Sequence, residues 1–130
     1  MALLKRTFLT VALAASVVAY VPVSVAGKVE NATAAEVKEA IDSAVSLSEE
    51  TLAAVNSDAD KDAVLDLYKA TKQASKRIES NVVDRLRAKA NSFLGNSRNA
   101  FKKGNKAEAV ELLEKAVETY KGVKTKYGAF

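Results

Sequence analysis

The residues best able to do chemistry in this 130-residue chain are carboxylates, and their densest run is Asp58-Ala59-Asp60-Lys61-Asp62. Alternating oxygens of this kind open a calcium loop, where successive acids turn inward around a hard cation. The pattern then breaks. Ala63 stands where the loop needs glycine for its turn, and Lys69 stands where a bidentate glutamate should close the coordination. The same acids suit a helix start, because negative charge in the first turn complements the positive end of the helix dipole. Capping of a helix that begins near 58 is the competing account.

The rest of the chemistry is bounded by what is missing. The chain has no His, Cys or Trp, its single Met is Met1 and its single Pro is Pro22. An imidazole base, a thiolate nucleophile, the usual zinc donors and the axial ligands of haem are therefore absent. The carboxylates that remain are scattered over helix faces. A non-enzymatic protein without metal or cofactor is the expectation.

The elements that would hold these residues begin after an N-terminal segment of a different kind. Lys5 and Arg6 precede an apolar run from Thr7 to Tyr20, Pro22 interrupts it, and Ser24-Val25-Ala26 puts small residues at −3 and −1 of a cut before Gly27. This is the pattern of a cleaved signal peptide, 1–26, and it predicts a periplasmic or secreted mature chain, 27–130. The alternative is an uncleaved anchor, since Thr7 to Ala26 as a helix would reach about 30 Å. Loss of Lys5 and Arg6 lowers the formal charge from +4 to +2, so the basic pI overstates the case for nucleic acid.

Beyond residue 32 the pattern is helical throughout. Val37, Ile41, Val45, Leu52 and Val55 form one stripe, with Thr33 and Glu36 spaced as a capping box. Asn56-Ser57-Asp58 reads as a stop and a new cap. Val64, Leu67, Tyr68, Thr71, Ala74 and Ile78 form the second stripe, and Val83, Leu86, Ala90, Phe93, Ser97, Ala100 and Phe101 the third. Between these two, Ser80-Asn81 is read as a break with Asn81 as cap, although no Gly or Pro lies between Asp58 and Leu94 and one continuous helix is the alternative. Gly104 and Asn105 mark a turn, with Glu108 completing a box, and Val110, Leu113, Ala116, Val117 and Tyr120 line the last helix. The predicted helices are 33–56, 58–79, 82–103 and 106–121 or longer. Joined by short turns, they predict an all-α, antiparallel up-and-down four-helix bundle.

An internal match supports pairing the helices as two hairpins. Ala63-Val64-Leu65-Asp66-Leu67-Tyr68-Lys69-Ala70 resembles Ala109-Val110-Glu111-Leu112-Leu113-Glu114-Lys115-Ala116 at an offset of 46 residues. Shared Ala, Leu and Lys content is the alternative source of the likeness.

Charge is uneven between the helices. The first carries five acids against Lys38, whereas the third carries Arg85, Arg87, Lys89, Arg98, Lys102 and Lys103 against Asp84. Two readings follow: an acidic helix steered against basic neighbours within the bundle, or a basic face that binds a partner. Nucleic acid is disfavoured, because Phe93 and Phe101 fall on the core stripe instead of among the cations.

Two resemblances rest on these residues. Val37-Lys38-Glu39-Ala40, Lys69-Ala70-Thr71-Lys72 and Ala100-Phe101-Lys102-Lys103-Gly104 with Ala109, Leu113 and Ala116 resemble the exported small metal-binding protein family of ammonia-oxidising bacteria. The resemblance implies an exported four-helix bundle; that family's histidine ligands have no counterpart here. Gly104, Ala109, Leu113 and Ala116 are also spaced like the second half of a tetratricopeptide hairpin, whereas Asn96 and Ser97 replace the Leu and Gly of its first half.

The expected function is that of a binding or interaction protein acting on a protein or envelope component through the basic residues of the third helix. Carriage of a small ligand or cation, a tetratricopeptide-like peptide adaptor, and weak membrane association are the alternatives. Tyr120, Tyr127 and Phe130 either finish the core or form a dimer patch.

Overall fold

A computed structural model describes residues 33–129, and the predicted signal segment and its cut after Ala26 lie outside the described residues. Four helices make up the described chain: α1 (Ala34–Asn56), α2 (Lys61–Lys76), α3 (Asp84–Lys102) and α4 (Lys106–Gly128). No strand occurs among the described residues. The fold is the all-α four-helix bundle that the periodicity predicts.

The direction of each helix follows from its cross-contacts. Lys121 meets Glu49 and Lys124 meets Asp42, so α4 runs against α1. The Tyr120 hydroxyl bonds Asn91 and the Ser97 hydroxyl bonds the Ala109 carbonyl, so α4 also runs against α3. Packing proceeds around the bundle from α1 to α2, α3, α4 and back to α1. The contact of α1 with α4 closes the ring. A second pair of hairpin helices would have to stay open along this side to leave the groove of a tetratricopeptide array.

Local signals set the ends of α1 and α4. Glu36 N–H donates to the Thr33 hydroxyl at 3.1 Å while Thr33 N–H donates to the Glu36 carboxylate at 2.9 Å, the reciprocal box that the sequence predicts. At α4, Glu108 N–H donates to the Asn105 side chain at 3.2 Å, but the predicted box is only half made, because the Asn105 N–H donates to the Ala100 carbonyl in the preceding turn. The last helix continues to Gly128, carrying Val123 into the core and laying Tyr127 against it. Tyr120 is fully buried and therefore finishes the core.

The middle boundaries differ from expectation. Helix α2 starts at Lys61 instead of 58, because Asp58 takes a left-handed backbone (φ 57°) inside the turn and Asp60 occupies the cap without a side-chain cap bond. It ends at Lys76 instead of 79, and α3 starts at Asp84 instead of 82. The predicted cap at Asn81 is replaced by Val83, which makes no side-chain cap bond. The cause is tertiary: Ile78 is 1% exposed and Val83 0%, so both side chains turn inward and plug that end of the bundle. Full burial of a side chain this size contributes about 1.5–3 kcal/mol, more than a capping bond supplies. A chain that satisfies both cannot remain one helix from 61 to 102.

The 46-residue offset extends through both hairpins. Asp58 and Gly104, 46 apart, are the positive-φ residues of the described chain. Ala59 N–H donates to Ala54 C=O at 3.0 Å, and Asn105 N–H donates to Ala100 C=O at 2.9 Å. Ser57 to Ala53 and Lys103 to Asn99 repeat the same way. Six-to-one closures with a left-handed residue are the Schellman ending of a helix. The buried positions Val37, Ala44, Ser48, Thr51 and Ala54 of α1 likewise recur as Val83, Ala90, Leu94, Ser97 and Ala100. The likeness of the two hairpins therefore extends from sequence to turn geometry and to part of the buried face.

Candidate interaction surface and polar core

The six cations singled out on and after α3 do not form one patch. Arg85, Lys89, Arg98, Lys102 and Lys103 are exposed, and Arg87 is half-buried. At 100° per residue, Arg85 and Lys89 lie about 40° apart on one flank of α3, whereas Arg98 and Lys102 lie about 220–260° further round on the other. Arg85 and Arg98 are also about 20 Å apart along the axis. The helix therefore presents two basic sites, one near the α2–α3 link and one near the α3–α4 turn.

Arg87 pairs with Asp84 in its own first turn. Among the described residues, no carboxylate comes within 4.0 Å of Arg85, Lys89, Arg98, Lys102 or Lys103. Two of the five acids of α1 are matched elsewhere. Glu49 pairs with Lys121 at 3.1 Å, and Asp42 with Lys124 at 3.3 Å and Lys38 at 3.3 Å. Desolvation alone would raise the Asp42 pKa, but Lys38 and Lys124 outweigh it and hold the carboxyl below its usual value. Steering between helices does occur, and its basic partner is α4.

The acid run at 58–62 is used for folding. The Asp58 carboxylate receives Lys106 Nζ at 2.9 Å, and the same ammonium reaches the Asn56 carbonyl at 3.5 Å, tying the two hairpin turns together. Asp62 sits in the first turn of α2, where its charge opposes the helix dipole favourably. Among the described residues, no three carboxylates are placed to hold a metal ion. The same turns border an open hollow of about 290 Å³ lined by Ala54, Val55, Ala59, Phe101 and the Asp58–Lys106 pair. A shallower hollow of about 450 Å³ runs between Leu52 of α1 and Glu111, Glu114 and Glu118 of α4.

Hydroxyls on the apolar stripes form a polar layer inside the bundle. Ser97 donates to the Ala109 carbonyl at 2.7 Å and accepts from the Tyr68 hydroxyl at 2.6 Å, which links α2, α3 and α4 at one point. The Thr51 and Thr71 hydroxyls lie 3.2 Å apart, and each is also within hydrogen-bond distance of a carbonyl one turn back in its own helix, so one hydroxyl proton serves the pair and the other a carbonyl. The Tyr120 hydroxyl donates to Asn91 at 2.8 Å. Burial raises the pKa of both tyrosines; Ser97 opposes the rise at Tyr68, while Ser75 and the Arg87 charge oppose it at Tyr120. Thr71 and Ser97 could be placed on core stripes from spacing alone. Their partners could not, because the contacts cross between helices 20 to 29 residues apart.

The aromatics serve packing. Phe101 lies 5.9 Å from the Tyr68 ring at 42°, and Lys115 sits 5.9 Å above Phe93. Neither ring stands among the exposed cations of α3. No protein-family model, curated protein or solved structure matches this chain.

Proposed function

We propose that this chain is an exported, non-enzymatic helical bundle that acts by binding an anionic protein or envelope component through the cations of α3. One observation carries the reading: Arg85, Lys89, Arg98, Lys102 and Lys103 have no carboxylate within 4.0 Å among the described residues, and the α1 acids that do pair across the bundle, Asp42 and Glu49, meet α4 instead. Cations left exposed without an intramolecular partner are available to an external one, and attraction of this kind sets association rate and selectivity. Export follows from the pattern at 1–26, and no helix among the described residues is long and apolar enough to cross a membrane.

The test is capture of envelope material on the immobilised protein, compared with Arg85→Glu combined with Lys89→Glu. Reduced, salt-sensitive capture with unchanged helical circular dichroism is the expected result. Capture that is equal for the variant and insensitive to salt would remove the basic face from the function.

A further inference from the structure

We infer that one end of the bundle, formed by the α2–α3 link and the helix halves beside it, docks on an anionic lipid surface. The inference rests on the proposed interaction role of Arg85 and Lys89 and names their partner. Dividing each helix at its midpoint separates the charges sharply. The end holding 33–45, 69–93 and 117–129 carries eleven Lys and Arg against six Asp and Glu, a formal +5, and the opposite end carries six against nine, a formal −3. The molecule is polarised along the bundle axis.

The cations at the positive end are available for contact. Lys69, Lys72, Lys76, Arg77, Arg85, Lys89 and Lys126 are all exposed, and none has a carboxylate within 4.0 Å among the described residues. The α2–α3 link at this end, between Arg77 and Arg85 in sequence, holds Val82, 37% exposed, the one large apolar residue so exposed among those described. Its neighbours Ile78 and Val83 are buried, so the link is fixed from within and holds Val82 outward. Exposed cations on the helix halves beside an outward apolar residue match the two layers of a lipid interface, headgroup charge outside and hydrocarbon beneath.

The chain also enters the bundle at this same end. Helix α1 begins at this end, and residues 27–32 join it to the apolar run 7–26. Until a cut at Ala26, one apolar segment and one basic end would act on a single surface. After it, the cations and Val82 remain as the lipid contact. Nucleic acid and acidic proteins share the charge but offer no hydrocarbon layer for Val82.

The chain has no cysteine, so a probe can be placed at will. The full chain carrying Val82→Cys, labelled with an environment-sensitive fluorophore, is mixed with phosphatidylglycerol or phosphatidylcholine vesicles. The expected result is a blue shift on the anionic vesicles only, lost at about 0.5 M salt, with no shift from a probe at Asp60→Cys on the opposite end. Adding Lys72→Glu, Lys76→Glu and Arg77→Glu, all outside α3, should weaken the response by about fivefold or more for each charge removed. Equal shifts on both lipids, an equal response at Asp60, or an unchanged triple variant would overturn the proposal. A response to polyglutamate but not to vesicles would overturn it too, while leaving the α3 interaction reading standing.

Discussion

Replacing Ser97 by Ala tests whether the buried hydroxyl layer holds the bundle together or merely fills space. Ser97 is 0% exposed and Tyr68 1%, and the tyrosine hydroxyl has its hydrogen bond at Ser97. Ser97→Ala changes the volume little but leaves that hydroxyl buried without its partner, a cost of about 1–3 kcal/mol. Tyr68→Phe removes the other member while Ser97 keeps the Ala109 carbonyl, so the loss is a net hydrogen bond of about 1 kcal/mol. In the double variant no orphaned hydroxyl remains. Its destabilisation should fall about 1 kcal/mol short of the sum of the two single changes. For a bundle of this size, a loss of about 2 kcal/mol lowers Tm by about 8–16 °C. Urea unfolding followed by circular dichroism gives the four stabilities, with a constant m-value required for the comparison. A Ser97→Ala loss below about 0.5 kcal/mol, or strict additivity of the pair, would refute the coupling.

Two further outcomes follow from the turns and from α1. Gly104→Ala should cost about 1–2 kcal/mol, since an added Cβ meets nothing within 4 Å and only the left-handed backbone (φ 84°) opposes it. Asp58→Gly at the equivalent turn should stay within about 0.5 kcal/mol of the parent, because relief of the left-handed strain offsets the lost Lys106 contact and the added chain entropy; equal effects at both turns would contradict this. Burial raises the pKa of Glu50, so the folded state disfavours its charged form. That penalty is complete above the folded pKa and vanishes as pH falls below the ordinary glutamate range. Glu50→Gln should therefore raise the urea midpoint at neutral pH and leave it unchanged near about pH 4; a gain that is the same at both values would show that desolvation is not the cause.

What could be read from the sequence was what is local. The caps at Thr33 and Asn105 depend on side chains three residues apart, and the structure places both as the spacing implies. The ends of α2 and α3 depend on where Ile78 and Val83 find the core, which a helical repeat continuing through 77–83 cannot express. The charge pattern shows the same division. The excess of acid on α1 and of base on α3 is visible along the chain, yet the helix that meets Asp42 and Glu49 is α4, because neighbours around a ring are not ordered by sequence.

The two hairpins meet along two unequal seams. Exchanging one hairpin for the other turns the α1–α4 contact into the α3–α2 contact, and a perfect repeat would make them alike. They are not alike: α2 and α3 share the least contact of any neighbouring pair, and the hydrogen bond from Tyr68 to Ser97 bridges them. Local opening begins where fewest contacts must be broken. The molecule is thus built like a book, with α1 and α4 as its spine and the α2–α3 edge as the side on which it parts. Amides beside that edge should be the first to exchange with solvent, and the order in which protection is lost would trace the hinge.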